Sequence, residues 1–317
     1  MYNVLIVGAG QLGSRHLQGV KKAKEELDIW VCDINPESLW VAEERYEQIE
    51  ATTSKVAHFI DNIDAAPKDI DVAIIPSTSM SRCAIVENLL KNHNVKYMIL
   101  EKFLFPRMAD YEKVSALLKA SKTKAYVNCP MRIYESYYKI AQMIDGNSLI
   151  HYVAEGRDWG LCCNAIHHID MFMNLTQEHS YSVNLEKVIP EVIPSKRNGY
   201  IELRGTMRFE TPKGSTLTLI SDLEHEEGYL VRLQNGETLY VVNEATGDVK
   251  INDELIHTHT PYQSELSGAV VDTLINIGTC GLTTYEESKE YHKLFLSAVL
   301  PYVNKLQGCD SDCCPIT

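Results

Sequence analysis

Asn3-Val4-Leu5-Ile6-Val7-Gly8-Ala9-Gly10-Gln11-Leu12-Gly13 sets three spaced glycines directly behind an apolar run. Asn3 to Val7 is a short apolar run rich in β-branched side chains, as a strand covered on both faces requires. The glycines follow at once, and a helical stretch from Ser14 to Lys24 follows them. Between a strand and a helix this spacing has a mechanical meaning. Gly8 makes the tight turn, Gly10 lets backbone approach a pyrophosphate, and Gly13 lets the helix pack on the strand. Gln11 and Leu12 then open a helix whose first N–H groups and partial positive charge suit phosphates.

The next apolar run, Ile29-Trp30-Val31-Cys32, ends in Asp33, 20 positions beyond Gly13. A carboxylate at that spacing accepts from a ribose 2′-hydroxyl. Ile34-Asn35-Pro36 offers no cation for a 2′-phosphate, so the expected cofactor is NAD in preference to NADP. Asp71 to Ile75 and Tyr97 to Leu100 read as further strands, with a helix from about Arg82 to Asn92 between them. This alternation predicts an α/β fold with a doubly wound parallel sheet, whose ligands bind at the carboxyl ends of the strands. Ser77 and Thr78 after one strand, and Glu101 and Lys102 after another, are therefore expected at the cofactor. Lys102 can also donate to a substrate hydroxyl or carbonyl oxygen, which makes it a catalytic candidate.

With 317 residues, 45% of them hydrophobic, the chain can bury one long core or two ordinary ones. The reading adopted is a dinucleotide-binding domain over 1–127 and a substrate-binding and oligomerisation domain over 128–317, with a helix at about 285–306 placed to pack back on the first. A net charge of −13 argues against an electrostatic grip on nucleic acid or anionic lipid. No apolar run approaches the roughly 20 residues that span a bilayer, and no basic leader is evident, so a cytoplasmic protein without a membrane partner is expected. Nine cysteines, an odd number, fit a reducing compartment better than a disulfide framework. Cys309, Cys313 and Cys314 lack the paired C-x-x-C spacing of a zinc site, and His257-Thr258-His259 reads as an exposed strand edge, so no metal is expected.

In the second half, a helix over Glu135 to Met143 and a strand ending near Arg157 lead into Leu161-Cys162-Cys163-Asn164-Ala165-Ile166-His167-His168-Ile169-Asp170. Its apolar spacing predicts a helix. Cys163, His167 and Asp170 then share a face, while His168 points about 100° away and reads as a packing or dimer-contact histidine. Three chemistries fit such a face. A metal would need converging ligands that one short helix supplies poorly, and a Cys163 nucleophile paired with His167 would suit an acylated aldehyde. The third makes His167 a general acid or base with Asp170 orienting it, and Asn164 placed to bond a substrate hydroxyl. Beyond Arg204, four runs (206–209, 215–220, 229–233 and 238–242) read as successive antiparallel strands separated by turns, a platform for a homodimer or homotetramer. Arg132, Arg157, Lys196 and Arg197 are candidates for a basic pocket around an anionic substrate.

The glycine motif, Glu101-Lys102, Asn128-Cys129-Pro130-Met131-Arg132, His167-His168-Ile169-Asp170 and Cys280-Gly281-Leu282-Thr283-Thr284-Tyr285 together resemble the glucose-fructose oxidoreductase, inositol dehydrogenase and rhizopine-catabolism (Gfo/Idh/MocA) family. The resemblance runs over nearly the whole chain. It implies a Rossmann domain followed by an α/β domain on an open, largely antiparallel sheet. It also implies hydride transfer between NAD(P) and a sugar or cyclitol carbon, with Lys102 and His167 catalytic; the expected substrate is a sugar or nucleotide sugar, with Cys163 and Asn164 toward it. Ser81-Arg82, Leu100 to Phe105, Trp159 to Asn164 and Cys314-Pro315-Ile316-Thr317 look closer to a subgroup from bacterial surface-polysaccharide and sialic-acid-like sugar pathways. The chain departs from the family at two places. Phe103 stands where proline usually follows the Glu-Lys pair, and without proline the peptide bond is expected to be trans. Cys163 stands where many members carry Asp. These departures keep two alternatives in view: a non-catalytic dinucleotide-binding sensor or scaffold, and an enzyme that uses tightly held NAD transiently in epimerisation or elimination.

Overall fold

The structure is a computed structural model that describes residues 1–225 and 228–317. The chain divides into two compact units. The first comprises Met1–Phe105, Ala109–Asn128 and Pro261–Tyr285, and the second Pro106–Met108, Cys129–Thr260 and Glu286–Thr317.

The first unit begins with β1 (Tyr2–Val7), α1 (Gln11–Lys21), β2 (Leu27–Cys32), α2 (Pro36–Glu47), β3 (Lys55–Ile60), β4 (Asp69–Ile75), α3 (Ser79–Asn92), β5 (Asn94–Glu101), α4 (Met108–Ser121) and β6 (Lys124–Asn128). All six strands run parallel, in the spatial order β6-β5-β4-β1-β2-β3. Val4 to Ile6 and Val72 to Ile75 are wholly buried, as strands covered by helices on both faces must be. β3 and α2 have no counterpart in the pattern read from sequence. Asn35 caps α2 by accepting from Glu37 N at 3.0 Å, with Pro36 at its first position.

The second unit contains α5 (Glu135–Met143), β7 (Ile150–Arg157), α6 (Leu161–Thr176), β8 (Ser182–Val188), β9 (Ile193–Pro194), β10 (Ile201–Glu202), β11 (Gly205–Glu210), β12 (Thr216–Asp222), β13 (Leu230–Asn235), β14 (Thr238–Asn243), β15 (Asp248–Ile251) and β16 (Glu254–His257). Its large sheet has the order β16-β15-β14-β13-β7-β12-β11-β8. The four strands read as successive neighbours are therefore two hairpins split by β7, which pairs parallel with β12 and antiparallel with β13. Alternate residues, among them Tyr152, Ala154, Leu217, Leu219, Val231 and Leu233, are wholly buried on one face of this sheet. α6 packs on β7 and β12.

The chain then forms α7 (Gln263–Ile277) and β17 (Thr283–Thr284), which belong to the first unit, and α8 (Tyr285–Gln307), nearly all of which belongs to the second. α7 lies against α1, and two glycines make the crossing close. A Cβ on Gly268 would meet Gly19 O at 2.4 Å, and one on Gly19 would meet the Ser267 Cβ at 2.9 Å. β17 extends the parallel sheet at its β6 edge, antiparallel.

Candidate functional site

In the first unit, β1 delivers the chain to a turn that admits nothing larger than glycine. Gly8 sits at φ +115°, and a Cβ on Gly13 would fall 1.8 Å from Gly8 O. Gly10 caps α1 without a side-chain hydrogen bond, the first turn carries no acidic residue, and a Cβ there would meet nothing within 4 Å. The helix therefore opens toward free space with its N–H groups and positive dipole end. Asp33, just past β2, accepts from Ala9 N at 2.7 Å and from Asn35 N at 2.9 Å, so it also pins the glycine turn. At the end of β4, the Ser77 hydroxyl oxygen is shut off from solvent and has no hydrogen-bond partner among the described residues.

Beside β4, β5 ends in Glu101, 3% exposed, and the half-buried Lys102. His16 of α1 reaches Glu101 Oε1 at 3.0 Å through Nε2, and its Nδ1 lies 2.9 Å from Ser267 Oγ on α7. Asn128, at the end of β6, donates to the same Glu101 oxygen and at 2.8 Å to Gln263 Oε1. Burial alone would raise the Glu101 carboxyl. The bond and charge of His16, with Asn128 and Lys102, instead hold it below the usual carboxylate range. The Lys102–Phe103 bond is cis, which corrects the trans expectation. That expectation weighed the peptide alone, whereas here the Arg82 guanidinium, 1% exposed, donates to both Phe103 O and Leu104 O.

In the second unit, α6 carries the predicted face. Cys163, Asn164 and His167 are half-buried, and every other side chain of its first two turns is buried. Glu202 of β10 takes Cys162 N at 2.8 Å and Cys163 N at 3.1 Å, placing a carboxylate at the helix N-terminus. The Cys163 thiol donates to Thr317 O, and Asn164 Nδ2 donates to Trp159 O at 2.7 Å. Burial, with Glu202 beside it, pushes the Cys162 thiol well above its ordinary range. Asp170 is wholly buried, and both of its oxygens accept from Arg132, at 2.7 and 3.0 Å. Burial works against the Arg132 charge, yet Asp170 and then Glu287 hold that guanidinium above its ordinary value. Arg132 therefore meets the carboxylate of its own domain. Arg157 is exposed at the end of β7, and Lys196 and Arg197 are exposed between β9 and β10.

His168, 2% exposed, lies between two tyrosine hydroxyls, Tyr152 at 2.8 Å on Nδ1 and Tyr229 on Nε2. Burial pushes its pKa from 6.5 down to about 3. Between those values only the unfolded chain binds the proton. The stability this neutral imidazole gives is therefore complete above pH 6.5 and is lost as pH falls, at up to about 1.4 kcal/mol per pH unit. Urea unfolding of the protein beside His168→Gln between pH 7 and 4.5 checks this, since the variant should lose about 1 kcal/mol or more of that pH dependence. Equal slopes in the two proteins would contradict the assignment.

Residues 2–129 match the family model described as "Oxidoreductase family, NAD-binding Rossmann fold", GFO_IDH_MocA. The first domain is a Gfo/Idh/MocA oxidoreductase domain. A search of curated proteins found no match. Solved structures with the same fold include an oxidoreductase from Agrobacterium radiobacter in complex with NAD+, L-tartaric acid and magnesium. It is 13% identical with a TM-score of 0.71, over 96% of this chain and 97% of that one. UDP-N-acetylglucosamine 3-dehydrogenase GnnA from Acidithiobacillus ferrooxidans is 14% identical with a TM-score of 0.68, over 95% and 96%. The super-repressor mutant of Gal80p from Saccharomyces cerevisiae is 12% identical with a TM-score of 0.72, over 97% and 96%. At these identities the likenesses establish the shared fold.

A Gfo/Idh/MocA domain takes NAD, and the residues here fit it. The uncapped α1, the open space over Gly10, the Asp33 carboxylate and the buried Ser77 hydroxyl are groups that phosphates, a ribose and a cofactor amide would satisfy. Gly13→Ala pushes a methyl into Gly8 O and is expected to weaken NADH binding by about tenfold or more, read by quenching of NADH fluorescence. Wild-type affinity in this variant would remove the glycine turn from the cofactor site. Sequence reasoning missed Arg45 of α2, whose Nη2 donates to Gln11 Oε1 at 2.7 Å, and Glu202, which caps α6 from 39–40 residues away. Neither has a local signal. Among the described residues no group of three or more His, Cys, Asp or Glu is placed to hold a metal ion, and no helix is long and apolar enough to cross a membrane. His259 lies past the end of β16.

Proposed function

We propose that this NAD-dependent oxidoreductase moves hydride to or from a carbon bearing a hydroxyl in a sugar or nucleotide sugar. The observation that carries the reading is Lys102, half-buried at the carboxyl end of β5, in the same parallel sheet whose β1 feeds the glycine turn. NAD, when bound, supplies the hydride acceptor or, reduced, the donor. Lys102 donates to the substrate oxygen and offsets the charge that develops there. His167 takes the hydroxyl proton on oxidation and returns it on reduction. Asp170, held by Arg132, keeps the turn of α6 that carries His167 in place. Arg157 and Lys196 are the cations available to a diphosphate or carboxylate group of the substrate, whereas Arg197 bonds Thr317. The similarity in fold to a UDP-N-acetylglucosamine 3-dehydrogenase supports the nucleotide-sugar class. A place in bacterial surface-polysaccharide synthesis in the cytoplasm, and a homodimer or homotetramer through the large sheet, complete the proposal.

The test is a panel of nucleotide sugars, free sugars and cyclitols, each supplied with NAD+ and followed by NADH absorbance. Turnover of at least one is expected, and the substrate should also raise the melting temperature in the presence of NAD, since a ligand at a hundred times its Kd adds about 2.7 kcal/mol. A protein that binds NADH with an intact fold and turns over none of the panel is instead a dinucleotide-binding sensor. Cofactor that copurifies and never exchanges points to transient use of NAD.

A further inference from the structure

The segment Cys313–Thr317 is fastened to other parts of the second unit by hydrogen bonds, and one of them falls on the half-open strip of α6 that carries His167. Cys314 N donates to Pro106 O and Ile201 N to Pro315 O, each at 2.9 Å. Arg197 Nη1 donates to Thr317 Oγ1 at 2.9 Å, and the Cys163 thiol donates to the Thr317 main-chain oxygen. Cys314 and Ile316 are wholly buried and Thr317 is 6% exposed. Anchoring by Cys314 and Ile316 alone would hold this segment as ordinary packing. The two bonds at Thr317 go further, because they set a polar residue against a chosen face of a helix.

That face is the chemically relevant one. Cys163 precedes His167 by one helical turn on the same side. Asn164, beside it, is already oriented by Trp159 O. A main-chain oxygen carries more than one lone pair, so the Thr317 oxygen can accept from the weak thiol donor and from a substrate hydroxyl together. We propose that Cys313–Thr317 is a specificity-determining wall of the substrate site, presenting the Thr317 oxygen and the Cys163 thiol to a sugar hydroxyl one turn before His167. This rests on the reading of His167 as the residue that handles the substrate proton. The wall accepts a hydroxyl and disfavours a substrate with a carboxylate at that carbon, since two acceptors would then face each other. The same logic matches Cys163 to the segment. An aspartate at 163 would set a carboxylate against the Thr317 oxygen, acceptor against acceptor, with no proton between them.

The test uses the whole chain and two variants. Ile316→Asp puts a charge at a wholly buried position and should undock the segment, whereas Arg197→Ala removes one tie and leaves the buried residues alone. Two quantities are read: alkylation of Cys163 by iodoacetamide, resolved from other cysteines by peptide mass spectrometry, and KM and kcat for UDP-N-acetylglucosamine or whichever panel sugar the wild type turns over. Cys163 should react about tenfold faster or more in Ile316→Asp and by a smaller factor in Arg197→Ala, with Cys162 unmodified in all three proteins. KM should rise about tenfold in Ile316→Asp while kcat changes less and NADH binding is unchanged. Unaltered alkylation of Cys163 in both variants would show that the segment does not cover it. An unmasked Cys163 with KM at the wild-type value would reduce the segment to packing. A wild type that turns over no sugar overturns the functional reading and this inference with it, and is told apart because the parent protein itself is inactive.

Discussion

Lys102→Met is expected to lower kcat for the sugar by about 10²–10⁴-fold and to leave NADH binding within about twofold. Methionine keeps the length and apolar stem of the side chain and removes only the donor and its charge. The site tolerates that loss structurally, because Glu101 remains compensated by His16 at 3.0 Å and by Asn128. The deficit should appear in single-turnover rates as well as in steady state, since the missing interaction belongs to the step in which charge develops on the substrate oxygen. Lys102→Arg should recover part of the rate, because a cation returns with a different geometry. Full turnover in Lys102→Met would remove the residue from the chemistry and leave the end of β5 as a cofactor support only.

What could be read from the sequence was what is encoded locally. β1, the glycine turn and α1 follow one another within 20 residues, and each has its own pattern, so they were legible, as was the strand that ends before Lys102, whereas α2 and β3 were not. α6 was legible for the same reason, and with it the shared face of Cys163 and His167. Sheet order in the second unit was not legible. The hairpins β11–β12 and β13–β14 announce themselves by turns, but β7 slips between them through pairing across more than 60 residues, which no local pattern records. The grouping of α7 with the first unit depends on Gly19 meeting Gly268, two glycines that look unremarkable in either helix. The partners of the site were hidden in the same way. Thr317 lies 154 residues from Cys163 and Asp170 lies 38 from Arg132, so neither the Thr317 contact nor the ion pair of Arg132 with a buried carboxylate had a local signal.

His167→Ala should likewise reduce kcat by about 10²–10⁴-fold and erase one limb of the pH profile of kcat/KM, because the group that takes the hydroxyl proton is gone. Its neighbour provides the control. His168→Gln alters a buried imidazole held between Tyr152 and Tyr229 and should change acid stability with little effect on the shape of that profile. Two adjacent histidines on one helix thus separate chemistry from architecture, since one lies on the half-open strip of α6 and the other beneath it. The contrast guards against a trivial result: a loss of rate in both variants with unfolding in both would indict the helix, whereas a loss confined to His167→Ala with an unchanged melting temperature assigns the proton. If His167→Ala and Lys102→Met both retain wild-type turnover, no residue of the proposed pair touches the reaction. The first domain then keeps its NAD chemistry while the second must work through groups other than these.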